Sequence, residues 1–230
     1  MTKCLLCQDE ILNELTIKKI FSWEEINQQQ LCKSCPTSFN LIQPTEKLCQ
    51  YCSALSSVEI CYDCRQWQQI YPEKLLRHQS LYHYNSSLKE WFYRYKFLGD
   101  YRLSLTFAPA LRAYFKQFSQ WTLVPIPLSK KSLRERGFNQ VEALLSGAGL
   151  DFYPLLLKNK TLEAQATKTK RQRLKTPQMF SVNHEILPKL RNKKIILIDD
   201  VYTTGRTMYH ARDCLAAAGI KSMKTFSLAR

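Results

Sequence analysis

Eight of the nine cysteines in this sequence fall into four CxxC pairs within the first 64 residues. The pairs are Cys4/Cys7, Cys32/Cys35, Cys49/Cys52 and Cys61/Cys64. Two residues between thiols allow both sulfurs to bind one tetrahedral ion, and two such pairs complete a four-thiolate zinc site. The spacing therefore predicts two structural zinc ions, because every ligand position is filled and none is left open for catalysis. Sequential pairing of the motifs is the simplest arrangement, and interleaved pairing is the alternative.

The cellular compartment bears on these thiols. No apolar run in the sequence is as long as a membrane span, and the first residues lack the basic-then-apolar layout of a secretory signal. We therefore expect a cytoplasmic protein, in which reduced thiols bind metal rather than form disulfides. Cys214 lies apart from the pairs, among alanines in ARDCLAAAG, and we expect it to pack as a core thiol.

The sequence pattern changes near residue 70. Residues 1–70 carry the cysteine pairs and predict a small double zinc-ribbon module, whereas residues 71–230 alternate strand-like and helix-like segments. We predict strands at 79–84, 121–127, 152–157, 194–198 and 223–229, and helices at 86–97, 102–118, 138–147 and 205–218, the last ending at Gly219. This alternation predicts an α/β fold, a mostly parallel sheet with helices on both faces.

The most informative string of this second part is IILIDDVYTTGRTM, at residues 195–208. Ligands of parallel sheets bind beyond the carboxyl ends of the strands, where we expect Asp199 and Asp200 to stand exposed. Two neighbouring carboxylates suit the 2′ and 3′ hydroxyls of a ribose, and the small-residue loop opening a helix suits a phosphate monoester. The pattern thus predicts a site for a 5-phosphoribosyl group. Neither a GxxxxGK[ST] nor a GxGxxG nucleotide motif is present.

This string resembles the signature of type I phosphoribosyltransferases, which bind phosphoribosyl pyrophosphate. With VPIPLSKKSLRERGFNQ (124–140), YKFLGD (95–100) and the zinc ribbons, the whole chain resembles the ComF family of competence proteins. The resemblance implies that Asp199 and Asp200 hold the ribose hydroxyls, and that Mg²⁺ accompanies the pyrophosphate. It implies that the 5′-phosphate is wrapped by Thr203, Thr204, Gly205, Arg206 and Thr207. It further implies a pyrophosphate loop with Lys96 and Gly99, for which a helix ending at a glycine cap is the alternative.

The catalytic residues of such an enzyme are not evident in the sequence. The family often carries Gln, Arg and Asn ahead of Phe in a flexible loop; Gln165, Arg173 and Phe180 fit this pattern, but Thr176 stands where Asn is expected. No general acid or base dedicated to activating a nucleophile is identified. In type I enzymes a hood domain recognises the base, and here the zinc-ribbon module occupies the corresponding N-terminal place.

The chain is strongly basic, with a formal charge of +15 that two four-thiolate zinc sites would lower to about +11. The excess is concentrated at 168–175 and 130–136, which predicts a rim that binds single-stranded DNA. The predicted contacts are Lys168, Lys170, Arg171, Arg173, Lys175, Arg134 and Arg136. A clamp for pyrophosphate alone is the alternative. The aromatic residues of EWFYRYKF (90–97) favour core packing over base stacking.

Three functions are compatible with these motifs. The first is a late competence protein that binds incoming single-stranded DNA in the cytoplasm during natural transformation and DNA uptake; the resemblance implies the helicase-like ATPase ComFA as its partner. The second is an active phosphoribosyltransferase with an unidentified acceptor. The third is a scaffold whose zinc ribbons dock a protein. Turnover of phosphoribosyl pyrophosphate separates the second from the others.

Overall fold

The structure is a computed structural model that describes residues 2–11, 30–72, 74–159 and 178–230. Its strands are β1 (Thr2–Lys3), β2 (Glu10–Ile11), β3 (His78–Tyr82), β4 (Trp121–Pro125), β5 (Leu156–Lys158), β6 (Phe180–Val182), β7 (Lys194–Val201) and β8 (Met223–Ala229). Its α-helices are α1 (Tyr62–Ile70), α2 (Ser86–Phe97), α3 (Ala108–Phe115), α4 (Lys130–Arg136), α5 (Gln140–Gly147), α6 (Leu187–Leu190) and α7 (Arg206–Ala217). Short 3-10 turns cover Cys35–Ser38, Tyr101–Leu105 and Lys116–Phe118.

A parallel sheet of four strands, in the order β3-β8-β7-β4, forms the centre of the fold. Trp121 of β4 lies opposite Lys194 of β7, and Val201 at the end of β7 lies opposite Ala229 of β8. Because all four strands run in one direction, their carboxyl ends share one edge of the sheet and their amino ends the other. The predicted α/β class, a mostly parallel sheet with helices, is confirmed.

The alternating side chains of β7 divide the core between the two faces of the sheet. Ile196 and Ile198 pack into the apolar cluster that contains α2, α3 and α5, whereas Ile195 and Leu197 pack into the cluster on the other face. The second cluster includes α7 and also the buried cysteines of the N-terminal region. Each of these side chains is nearly fully buried, which stabilises the fold by about 1.5–3 kcal/mol per residue.

Helix α2 has the bounds predicted from the sequence. It begins where the Asn85 side chain accepts a hydrogen bond from the Leu88 N–H (2.9 Å), an N-cap that satisfies an otherwise unpaired donor. Trp91 and Tyr95 are nearly inaccessible to solvent, whereas Phe97 is 69% exposed. The aromatic run therefore serves mainly as core, as its helical spacing predicted.

Two sequence predictions were wrong, and a proline explains each. The helix predicted at 102–118 is broken, because Pro109 occupies the first turn of α3 and cannot stand in a helix interior. The strand predicted at 152–157 contains Pro154; Phe152 makes only an isolated bridge to Leu123, and β5 pairs antiparallel with β6 outside the main sheet.

Among the helices of the described residues, none combines the length and the apolar character that crossing a bilayer requires.

Candidate functional site

Two groups of four cysteine sulfurs lie in the described part of the chain. The first contains Cys4, Cys7, Cys32 and Cys35, and the second contains Cys49, Cys52, Cys61 and Cys64. Within each group, all the Sγ atoms lie within 4.8 Å of one another. This grouping confirms the sequential pairing of the CxxC motifs over the interleaved one.

The spacing of the sulfurs fits a tetrahedral zinc ion. The Sγ atoms of Cys4 and Cys35 are 3.7 Å apart, and those of Cys52 and Cys61 are 3.6 Å apart. A tetrahedron with zinc–sulfur bonds of about 2.3 Å has edges of about 3.8 Å. The Cys61 N–H also points at the Cys49 sulfur, at 3.4 Å, which stabilises a thiolate in that position. Both groups are thus suited to a structural zinc ion.

We predict that the protein binds two zinc ions per chain. Zinc binding to four-thiolate sites contributes about 10–16 kcal/mol, and we expect folding of the cysteine-rich region to depend on it. Elemental analysis of freshly purified protein that has not been exposed to a chelator should return two zinc atoms per chain. One atom or none would contradict the prediction.

The second cysteine group is joined to the sheet by helix α1. Trp67 of α1 stacks on Tyr209 of α7 with ring centroids 4.1 Å apart, and Tyr71 stacks on the same ring at 4.9 Å. The Tyr71 hydroxyl also donates to the Asp213 carboxylate. Because Cys64 lies on α1, the metal-binding group and α7 are rigidly connected.

The two acidic residues lie inside strand β7 rather than after it. The sequence placed the strand end at Ile198 and the carboxylates at an exposed position, but pairing with β8 continues to Val201. As a result, Asp200 is only 6% exposed and Asp199 is partly buried. The prediction of exposed acids was wrong, because the strand continues past them and the side chains of Lys96 and Gln140 pack against Asp200.

Asp200 has two partners from distant parts of the chain. Its Oδ2 atom accepts a hydrogen bond from Gln140 Nε2 at 2.7 Å and lies 2.7 Å from the Lys96 ammonium. A buried carboxylate would be unfavourable without such partners, and both partners hold it in one orientation. Lys96, predicted to supply charge to pyrophosphate, is therefore brought directly to the acidic pair.

Gln140 belongs to the RGFNQ string, which was noted in the sequence without a role for its individual residues. Gly137 (φ 79°) ends α4 in a left-handed conformation, and Asn139 caps α5 by accepting from Val141 N at 3.0 Å. The sharp turn brings Gln140 to Asp200 and lets Arg136 donate to Gln140 Oε1 at 3.0 Å. The string builds a rigid support for the acidic pair.

The carboxyl group of Asp199 is shifted toward its neutral form. Burial, together with the charge of Asp200, raises the pKa of Asp199 from its ordinary value of 3.8 to about 7. One Asp199 oxygen accepts a hydrogen bond from the Asp200 N–H at 2.9 Å. At neutral pH this residue can therefore either accept from or donate to a hydroxyl of a ligand.

We predict that Asp199→Asn stabilises the protein in a pH-dependent way. Between pH 4 and 7 the folded chain holds a proton on Asp199 that the unfolded chain has released, so stability falls as pH rises through this window and levels off above it. Asparagine does not titrate. The free energy of unfolding of the variant should exceed that of the wild type by a margin that grows by about 1–2 kcal/mol from pH 5 to pH 8.5.

Urea unfolding of both proteins at several pH values measures this margin, with the exposed Asp151→Asn as the matched control. A margin that does not change with pH, or one equal to that of the control, would contradict the raised pKa.

The loop after β7 leads directly into the N-terminus of α7. Thr203 and Thr204 are exposed, and Gly205 adopts φ 81° immediately before α7. A Cβ at Gly205 would lie 2.1 Å from the Tyr202 hydroxyl, so only glycine fits. This glycine places the loop directly before the N-terminus of α7, and helix N-termini are sites at which proteins bind phosphate.

Two side chains that the sequence analysis did not single out, those of Trp67 and Arg230, hold the backbone of the loop at Thr203 and Thr204. Trp67 Nε1 donates to the Thr204 carbonyl at 2.6 Å, and the Arg230 guanidinium donates to the Thr203 carbonyl at 2.6 Å. Arg230 also lies over the Tyr202 ring, 4.8 Å from its centroid. With their carbonyl groups held, the loop residues cannot turn those oxygens toward an anion.

The YKFLGD string contains the last three residues of α2 and the turn that follows the helix. Gly99 adopts φ 66°, with nothing within 4 Å of a Cβ built there, so the space in front of it is open. Asp100 binds Arg102 at 3.0 Å, and this guanidinium, more than any other contact, lowers the pKa of the Asp100 carboxyl. The glycine-capped helix end and the approach of Lys96 to Asp200 thus occur in the same turn.

A cleft of about 790 Å³ opens beside these groups. Its lining includes Lys96, Thr203 and Arg230. It also includes Leu55 and Asp63, which lie between cysteines of the second group in the sequence. Its volume lies in the range of small-molecule sites. The cysteine-rich region therefore contributes to the lining of the candidate site.

The predicted DNA contacts fall into two groups. Lys168, Lys170, Arg171, Arg173 and Lys175 lie outside the described residues, as do Gln165 and Thr176. Arg134 lines a basic cleft of about 570 Å³ with Lys130 and Lys131, whereas Arg136 is directed to Gln140. Phe180 is buried in β6, and Cys214 packs beside it, with its thiol 3.5 Å from the Phe180 carbonyl oxygen.

Comparison with known proteins relates the whole chain to one group. Residues 148–230 match the model of the phosphoribosyl transferase domain. The chain is 36% identical over 230 residues to Competence protein ComFC of Streptococcus pneumoniae (strain ATCC BAA-255 / R6), covering 99% of this chain and 100% of that protein. It is 34% identical over 235 residues to Competence protein ComFC of Bacillus subtilis (strain 168), covering 99% and 94%. Lys96 and Gln140 lie outside the matched domain.

Proposed function

Because this chain belongs to the ComFC family of competence proteins, we propose that it binds a ligand of the phosphoribosyl pyrophosphate type and handles incoming single-stranded DNA in the cytoplasm during natural transformation. The observation that supports the ligand best is the buried Asp200, held by Lys96 and Gln140 next to a glycine-opened loop at a helix N-terminus. A carboxylate in a solvent-exposed loop would be stabilised by water and would not require two such side-chain partners.

The ligand is held by complementary groups along the carboxyl edge of the sheet. Asp199 and Asp200 accept hydrogen bonds from the two ribose hydroxyls, and the loop from Thr203 to Thr207 receives the 5′-phosphate. Lys96 lies 2.7 Å from Asp200 and balances its charge, so the acidic pair repels the anionic ligand less. Mg²⁺ enters with the pyrophosphate, whose charge it neutralises.

A working phosphoribosyltransferase is the second candidate. The cleft of about 790 Å³ beside Lys96 and Thr203 supports it, because it leaves space for an acceptor next to the phosphoribosyl group. The walls from Leu55 and Asp63 would contact that acceptor. No side chain at the site is assigned here as the base that activates an acceptor.

The two candidates are distinguished by titrating phosphoribosyl pyrophosphate with Mg²⁺ into the zinc-loaded protein. Calorimetry measures binding, and a coupled assay measures pyrophosphate release. Saturable binding that exceeds the binding of pyrophosphate alone supports the pocket, and release that depends on an added base or DNA end supports the transferase. Absence of saturable binding would refute both. The helicase-like ATPase ComFA belongs to the proposal as a partner through the family resemblance.

A further inference from the structure

A cleft of about 1240 Å³ lies at the edge of the sheet opposite the phosphoribosyl site. His78, Trp121 and Met223, the first residues of β3, β4 and β8, line it. Its other wall comes from α7 and from the segment that follows α1. The volume exceeds the usual range of about 300–1,000 Å³ for small-molecule sites, which favours a polymer segment as the occupant.

Cations line this cleft. Lys74, Arg77, Lys221 and Lys224 are exposed, and within the described residues none of these four forms an ion pair with a carboxylate. Exposed cations that converge on one concave surface raise its positive potential, because like charges are held close without compensation. The cleft is therefore built for a polyanion.

The acidic residue in the lining is already neutralised. Asp213 lies 2.6 Å from the Arg212 guanidinium and accepts a hydrogen bond from the Tyr71 hydroxyl. Arg212 also donates to the Lys74 carbonyl and lies over the Tyr71 ring, 4.3 Å from its centroid. This network fixes the wall of the cleft and leaves the four exposed cations to determine its charge.

An aromatic ring stands at the end of the cleft. Trp121 is partly exposed, and the Lys224 ammonium lies 4.8 Å from its ring centroid. Lys194, the first residue of β7, approaches the same ring at 5.8 Å. Aromatic faces next to cations are the combination by which proteins hold unpaired bases and their phosphates.

We infer that this cleft binds single-stranded polynucleotide, so that DNA and the phosphoribosyl ligand occupy opposite edges of the sheet. The inference rests on the proposed DNA binding and assigns it to a face that differs from the predicted rim at 130–136. The two edges lie at opposite ends of the strands, and the length of the strands separates them by about 20 Å. A strand in the cleft therefore leaves the phosphoribosyl pocket open, and both ligands bind together.

Two triple variants with equal charge change test the assignment. The cleft variant carries Arg77→Gln, Lys221→Gln and Lys224→Gln, and the comparison variant carries Arg134→Gln, Lys130→Gln and Lys131→Gln at the other edge. Each removes one arginine and two lysines, all on the protein surface. The probe is an oligothymidylate labelled at its 3′ end, without a 5′-phosphate, titrated by fluorescence anisotropy from about 50 to 200 mM salt.

The cleft variant should lose up to about 2 units of the log–log salt slope, since each phosphate contact on a single strand contributes about 0.7. The comparison variant should keep most of the wild-type slope, and both variants should unfold at the wild-type urea concentration, which confirms their folding. A wild-type slope in the cleft variant, or equal losses in both variants, would overturn the cleft assignment alone. Absence of DNA binding by the wild type would refute the proposed DNA binding and the cleft with it.

Discussion

Replacing Asp199 and Asp200 together by asparagine is expected to weaken binding of phosphoribosyl pyrophosphate by at least about 100-fold, because two hydrogen bonds to charged acceptors contribute about 1.5–3 kcal/mol each. Asparagine keeps the size of the side chain and can still pair with Gln140. Alanine at position 200 would instead leave Lys96 and Gln140 without a partner in a buried place, which would destabilise the fold. Calorimetric titration with Mg²⁺ measures the change.

Net charge makes this a demanding test. Removing negative charge by itself favours an anionic ligand, so a loss of affinity must come from the lost acceptors. Asp151→Asn with Glu185→Gln is the matched control, since both residues are exposed and two acidic side chains are again replaced by amides. An affinity loss in the control as large as that in the pair variant, or none in the pair variant, would refute the pocket.

Loss of the second metal site is expected to reduce phosphoribosyl binding at least about 10-fold, although no cysteine touches the ligand pocket. Cys64 lies on α1, the helix that carries Trp67, and Trp67 Nε1 holds the Thr204 carbonyl at 2.6 Å. Without the metal, α1 loses its anchor and the phosphate loop loses this hydrogen bond. Cys64→Ser tests the effect, and Cys214→Ser is the control for removing a thiol that is not a ligand.

Trp67→Phe separates the hydrogen bond from the metal. It retains an aromatic ring to stack on Tyr209 but removes the donor to Thr204, so affinity should fall about fivefold while two zinc ions per chain remain bound. Trp121→Phe, at the other edge of the sheet, is the matched control and should leave the affinity unchanged. Unchanged affinity in Trp67→Phe would show that α1 does not position the loop.

Local patterns in the sequence were sufficient for much of the fold. The bounds of α2 and β8 were predicted correctly, because the helical spacing at 86–97 and the strand-like pattern at 223–229 are both properties of neighbouring residues. The helix at 102–118 and the strand at 152–157 were predicted wrongly from apolar periodicity, because Pro109 and Pro154 interrupt these segments. Proline acts on the backbone locally, so these two errors were avoidable.

The two cysteine groups were predicted partly from local sequence and partly depend on the tertiary structure. CxxC spacing by itself determined that each pair can bind one ion, because two thiols separated by two residues converge in a turn. Which pairs share an ion depends on which cysteines the fold brings together, and only the tertiary structure placed the sulfurs of Cys7 and Cys32, 25 positions apart in the sequence, at a distance of 3.7 Å.

The candidate site shows the same division most clearly. The sequence alone determined the two acids and the glycine-opened loop, since a strand, a turn and a helix start are encoded by adjacent residues. The tertiary structure alone decided that Gln140 reaches Asp200 across 60 positions and that Trp67 reaches Thr204 across 137. Such contacts depend on how the sheet and the cysteine-rich region pack in three dimensions. The periodicity of a single segment does not determine which distant segment it will contact.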